Sequence, residues 1–183
     1  CTSFNQPIGH WDVSTITNMG IMFSGCSLFN QDLSTWDVSN VTSMQSMFNG
    51  SAFNQDIGNW DVSKVTSMVS MFRSDKAFNQ DISGWNVGNV TNMRFMFRDA
   101  SAFNQNLDSW DVSKVTDMSY MFNGASSFNG NISSWQVGNV TNMSTMFSGA
   151  SAFNQDIGGW NVGKVTDISF MFNNATSFNQ DIG

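Results

Sequence analysis

One period governs this chain. Phe-Asn recurs at Phe4, Phe29, Phe53, Phe78, Phe103, Phe128, Phe153 and Phe178, followed by Gln in every copy but the sixth. The step is 25 residues, with a single step of 24 between Phe29 and Phe53. Trp keeps the same beat at Trp11, Trp36, Trp60, Trp85, Trp110, Trp135 and Trp160. A fixed period of this length belongs to chains that stack one small unit on the next, each unit touching only its neighbours. The reading is a single continuous array over 1–183. Its units begin near residues 4, 29, 53, 78, 103, 128 and 153, with a partial unit at 178, roughly seven and a half coils.

Within a unit the apolar spacing changes. In the copy that starts at Phe103, Trp110-Asp111-Val112 alternates apolar and polar, the period of a strand. Met118, Met121 and Phe122 then stand at i, i+3 and i+4, one face of a helical turn. The spacing predicts a solenoid with short parallel β-strands and one short helical turn per 25-residue coil. One unit cannot bury its large apolar side chains alone, and a neighbour about 5 Å along the axis would cover them.

Composition agrees with a packed chain of extended and turn segments. The chain has 17 Phe, 13 Met and 7 Trp, enough for a continuous core. All 14 acidic residues are Asp, which tolerates turns, whereas Glu favours helix. The net charge of −7 argues against nucleic acid as a partner, because phosphate neutralisation needs clustered cations. No apolar run is long enough to span a bilayer, and no signal peptide is visible.

Several polar positions repeat as faithfully as the core. Asn follows Phe in every copy, and Thr17, Thr42, Thr66, Thr91, Thr116, Thr141 and Thr166 follow Val or Ile. Both columns read as ladders that satisfy backbone groups of successive coils. The Asp columns are open to two readings. Asp32, Asp56 and Asp81 offer hard oxygens to Ca²⁺, but Asn replaces Asp freely in other copies, so a hydrated polar face is the default and a resident metal is not expected. No cofactor is implied. A single histidine, His10, and the absence of any singular acid pair leave no catalytic arrangement, so the expectation is a protein that is not an enzyme.

A partner must be read from what breaks the beat. The position between the paired Met residues holds Ile21, Ser46, Ser70, Phe95, Tyr120, Thr145 and Phe170, and helical spacing points it toward solvent. Phe95 and Tyr120 lie in adjacent copies and are expected to stand side by side, either as a contact surface or as lateral packing between coils. Six of the seven basic residues fall between Lys64 and Lys114. Arg94 and Arg98 flank Phe95 within that zone. Phe95, Tyr120, Phe170, Arg94 and Arg98 are the candidate binding residues. Cys1 and Cys26 share a register one repeat apart, where later copies carry Ala100, Ala125, Ala150 and Ala175; the pair reads either as a disulfide or as small buried residues. Pro7 is expected to discourage stacking beyond the first coil, whereas the last copy ends without a polar cap, as a longer array or a subunit contact would.

The segments Phe-Asn-Gln-Asp-Ile-Ser-Gly-Trp-Asn-Val-Gly-Asn-Val-Thr-Asn-Met (78–93) and Met-Phe-Ser-Gly-Ala-Ser-Ala-Phe-Asn-Gln (146–155) resemble the BspA-like bacterial surface-protein repeats, and the likeness extends over nearly the whole chain. The resemblance implies a leucine-rich-repeat-like solenoid that is secreted or held on the cell surface, often in adhesion, and implies no active site. The expected function is therefore non-enzymatic recognition of a host or neighbouring-cell surface protein or glycan. The alternative is a structural component that assembles with copies of itself, end to end or laterally, into a fibre or surface layer.

Overall fold

A computed structural model describes residues 2–183. The chain winds into coils of one repeat each, and successive coils are joined in parallel register at single residues: Asn18 to Ser43, Ser43 to Ser67, Ser67 to Asn92, Asn92 to Asp117, Asp117 to Asn142 and Asn142 to Asp167.

The coils are not built as the spacing predicts. Among the described residues there is no helix and no strand longer than a single bridging residue. The expectation of a leucine-rich-repeat-like solenoid of strands and helical turns is thus corrected. The reason lies in the Met-x-x-Met-Phe segment. Phe95, between Met93 and Met96, has φ of 61°, and its counterparts from Ile21 to Phe170 are all positive too. A left-handed residue there ends any right-handed helical run. The segment instead forms consecutive tight turns, in which Met96 N–H donates to Met93 O at 3.1 Å, Arg98 to Phe95 O at 3.1 Å and Ala100 to Phe97 O at 3.1 Å. The intervening N–H groups point along the stack. Met93 donates to Asp117 O, Phe95 to Ser119 O, Phe97 to Met121 O and Asp99 to Asn123 O, at 2.7–3.1 Å. Alternate donors therefore serve the turn and the next coil, and the backbone is satisfied without helix or sheet.

The interior is a set of aromatic columns. Phe97 lies 5.6 Å from Phe72 and 5.6 Å from Phe122, its equivalents in the coils on either side, and 3.9 Å from Phe103 in the second Phe column. Such offset contacts add about 0.5–1.5 kcal/mol per pair beyond simple burial. Each Trp from Trp36 onward is buried, and its indole N–H reaches back to a carbonyl of the preceding coil, as Trp110 does to Ile82 O at 3.1 Å. The apolar core runs as one cluster from Ile8 to Trp160.

The polar columns lock the same register. Asn104 N–H donates to Asn79 Oδ1 at 2.9 Å, and Gln105 Nε2 donates to the same oxygen at 2.8 Å. The Thr116 N–H and hydroxyl both donate to Thr91 O, at 2.9 and 3.2 Å. Each ladder repeats up the stack, so identical side chains perform identical work in successive coils.

Candidate functional site

The same turn geometry that rules out a helix puts one side chain per coil on an outer column. Where that side chain is small it stays close to the stack: Ser70 is buried and Thr145 half-buried. At Phe95 and Tyr120 two rings face each other, with centroids 4.9 Å apart and planes tilted by 39°. Both are half-buried. They form a two-ring step bounded by Ser70 on one side and Thr145 on the other.

Three guanidinium groups close around this step. The Cζ of Arg94 lies 4.4 Å from the Phe95 centroid, that of Arg73 5.5 Å and that of Arg98 5.6 Å. Arg98 is also 5.7 Å from the Tyr120 ring. Arg73 and Arg98 occupy the same position of adjacent repeats, so they stack in register while Arg94 comes from the residue before Phe95. The rings offset part of the cost of gathering like charges, because a guanidinium is attracted to an aromatic face. The only ion pair among the described residues joins Arg98 Nε to Asp99 Oδ2 at 3.3 Å, and that buried Nε makes no hydrogen bond.

The lysines behave differently. Lys64, Lys114 and Lys164 each donate to an Asn Oδ1 of the preceding coil, at 2.7, 2.7 and 2.6 Å. These cations are tied into the stack. No side-chain hydrogen bond of Arg73 or Arg94 is present among the described residues.

Four of the five candidate residues thus meet at one place: Phe95, Tyr120, Arg94 and Arg98. Phe170 does not join them. It stands two coils beyond Tyr120 and is 70% exposed on its own. Arg73 belongs to the patch but was not among the candidates. Its signal was legible, since it is 25 residues before Arg98 and stacked coils bring equal positions together.

The Asp columns are engaged locally. Asp32 Oδ1 accepts the Ser34 N–H at 2.8 Å, Asp56 Oδ1 the Gly58 N–H at 2.9 Å and Asp81 Oδ1 the Ser83 N–H at 2.9 Å. These are turns closed by an Asp side chain. The Ser34 N–H holds the Asp32 carboxyl below its usual range, and Ser83 does the same for Asp81, first through its hydroxyl. Among the described residues no three His, Cys, Asp or Glu side chains group so as to hold a metal. Cys26 is buried and carries a disulfide; Cys1, the other half of the anticipated pair, lies outside the described residues.

Three overlapping segments, residues 1–52, 49–122 and 102–183, match the model of one family, described as Mycoplasma protein of unknown function, DUF285. The chain belongs to that repeat family. No curated protein matches it.

Proposed function

Taking membership of a family of unknown function as the premise, we propose that the chain is a non-enzymatic recognition module. It acts at the cell surface or outside the cell and binds a host or neighbouring-cell protein or glycan. The observation that carries this reading is the Arg94–Phe95–Tyr120 step with Arg73 and Arg98, where the repeat departs from its own pattern. Elsewhere polar side chains close turns or bridge coils. Here aromatic and cationic groups gather on an outer column, and aromatic residues with Arg are the side chains that dominate binding hot spots. The likeness of residues 78–93 and 146–155 to BspA-like surface repeats supports the extracellular setting and the adhesive role.

A screen of the chain against glycan and protein arrays, repeated with Phe95→Ser/Tyr120→Ser, tests the proposal. Ligands bound by the natural chain and lost by the variant support it. An array on which both proteins bind alike sinks it.

Self-assembly is the second reading. The repetition of one parallel bridge at six successive coil junctions, from Asn18–Ser43 to Asn142–Asp167, favours it, because a contact that joins coil to coil can also join copy to copy. Sedimentation against concentration decides, since a monomer at high concentration leaves no assembly to explain.

A further inference from the structure

We infer that the patch takes an acidic polysaccharide, with a sugar ring against Tyr120 and its carboxylate or sulfate groups on Arg94 and Arg98. The inference rests on the recognition reading above and names its ligand class.

Charge comes first. Arg73, Arg94 and Arg98 all lie within 5.6 Å of one ring, and a single carboxylate, Asp99, pairs with one of them. The chain as a whole carries a net charge of −7, so this is a local concentration of cations on an acidic protein. Folding does not require it. The equivalents of Arg94 are Gly20, Gln45, Val69, Ser119, Ser144 and Ser169, and those of Arg73 and Arg98 are Ser24, Asn49, Asn123, Ser148 and Asn173. Coils with neutral residues at those positions stack by the same ladders. The Arg94 side chain makes no hydrogen bond or ion pair among the described residues, and Arg98 meets Asp99 through Nε, so terminal N–H groups remain to face the two oxygens of a carboxylate or sulfate.

Shape separates a polysaccharide from a peptide. An acidic peptide that docks as an added strand needs a row of free backbone donors and acceptors. None is available beside the patch. The N–H groups of Phe95, Phe97, Tyr120 and Phe122 donate to Ser119, Met121, Ser144 and Met146 at 2.9–3.1 Å. What the patch does offer is a ring face. Tyr120 meets Phe95 at a tilt on one side, while its other neighbour in the column is Thr145, so that side meets no second ring. The C–H face of a pyranose fits such a surface, and Arg98 at 5.7 Å from the Tyr120 centroid is placed to meet an anionic substituent.

The test is calorimetric titration of the whole chain with four probes: hyaluronan, whose only anion is carboxylate; chondroitin sulfate, which adds sulfate; neutral dextran; and poly-glutamate. At least one acidic polysaccharide is expected to bind, and to lose about tenfold or more in affinity between low and physiological salt. The two acidic arms tell carboxylate from sulfate. Arg94→Gln/Arg98→Gln is expected to abolish binding, Arg94→Lys/Arg98→Lys to weaken it, and Tyr120→Ser to weaken polysaccharide binding specifically. Thermal melts accompany each variant; if the Gln pair melts early, the Lys pair and Tyr120→Ser carry the decision. Dextran binding as tightly as the acidic probes, no binding by either acidic polysaccharide, or poly-glutamate binding as tightly and indifferent to Tyr120→Ser would each overturn the inference. The recognition reading survives any of these if array binding still requires Phe95 and Tyr120.

Discussion

The hydroxyl of Ser51 donates to Asp75 Oδ2 across two coils at 2.6 Å, and this contact repairs the one break in the repeat. The connector after Phe48 is a residue shorter than the others, which is why one step measures 24. At Phe29, Phe103, Phe128, Phe153 and Phe178 the N–H of this second-column Phe closes a turn onto the backbone, as Phe103 does to Ala100 O at 3.1 Å. Phe53 has lost that acceptor. Its N–H donates instead to Asp75 Oδ2 at 3.0 Å, and Asp75 Oδ1 takes the Ala77 N–H at 3.1 Å. Asp75 is fully buried and stands in the column that otherwise holds Cys26, Ser51 and alanines. Asp75→Ala strands these buried donors and is expected to cost about 1–3 kcal/mol in chemical denaturation. An unchanged midpoint would mean that water replaces the carboxylate without penalty.

Burial pushes the Asp75 carboxyl up to about 6, against the hydrogen bonds that favour its charged form. The folded chain therefore holds this proton more tightly than the unfolded chain. Stability from this group is present below its ordinary value and is lost as pH rises through about 6. The gain on acidifying from pH 7 to 4 is about 2 kcal/mol. Asp12, Asp32, Asp37, Asp61, Asp81, Asp111 and Asp167 run the other way. Each is held low by the serine two residues on, so its contribution is present above the ordinary carboxylate value and fades below it. Melting temperature is expected to peak in mildly acid buffer and fall on both sides. Asp75→Asn should remove the rise between pH 7 and 5 and leave the acid limb in place.

The Phe columns should be most sensitive at mid-stack. Phe97 touches rings above, below and beside it, and Phe97→Ala is expected to cost about 3–5 kcal/mol. Phe178 is only half-buried and contacts Phe153 and Phe172, so Phe178→Ala should cost clearly less. Equal losses in a denaturant titration would contradict the stacking account.

The left-handed position carries strain that can be relieved. Thr145 is β-branched and sits at φ of 60°. Thr145→Asn places there a residue that tolerates this conformation and is expected to stabilise by about 0.5–1 kcal/mol. A lower melting temperature would show that Thr145 contributes packing that outweighs its backbone cost.

Much of this was legible in the sequence. The 25-residue beat fixes which residues become neighbours, so the Phe and Trp columns and the Asn and Thr ladders follow from Phe97, Trp110, Asn104 and Thr116 recurring in phase. The local geometry was not. Met118, Met121 and Phe122 at i, i+3 and i+4 fit one helical turn and two successive tight turns equally well. The discriminating feature, a positive φ at Tyr120 and its equivalents, is masked because no copy carries Gly or Asn there. Asp75 was hidden for another reason. Its carboxylate answers a deletion one coil earlier, a relationship visible only once Phe53 is seen without its usual acceptor. The Phe95–Tyr120 contact could be anticipated from register alone, whereas the clustering of three guanidinium groups over Phe95 depends on the path of the turns.

The central claim is that the beat builds the stack and that recognition resides where residues 73–120 depart from it. Array binding by two folded variants tests this most directly: Phe95→Ser/Tyr120→Ser inside the patch, and Ile21→Ser/Phe170→Ser at the same column outside it. The account predicts that the first loses the ligands of the natural chain with little change in melting temperature, while the second keeps them. Loss of binding by the second with retention by the first would contradict it.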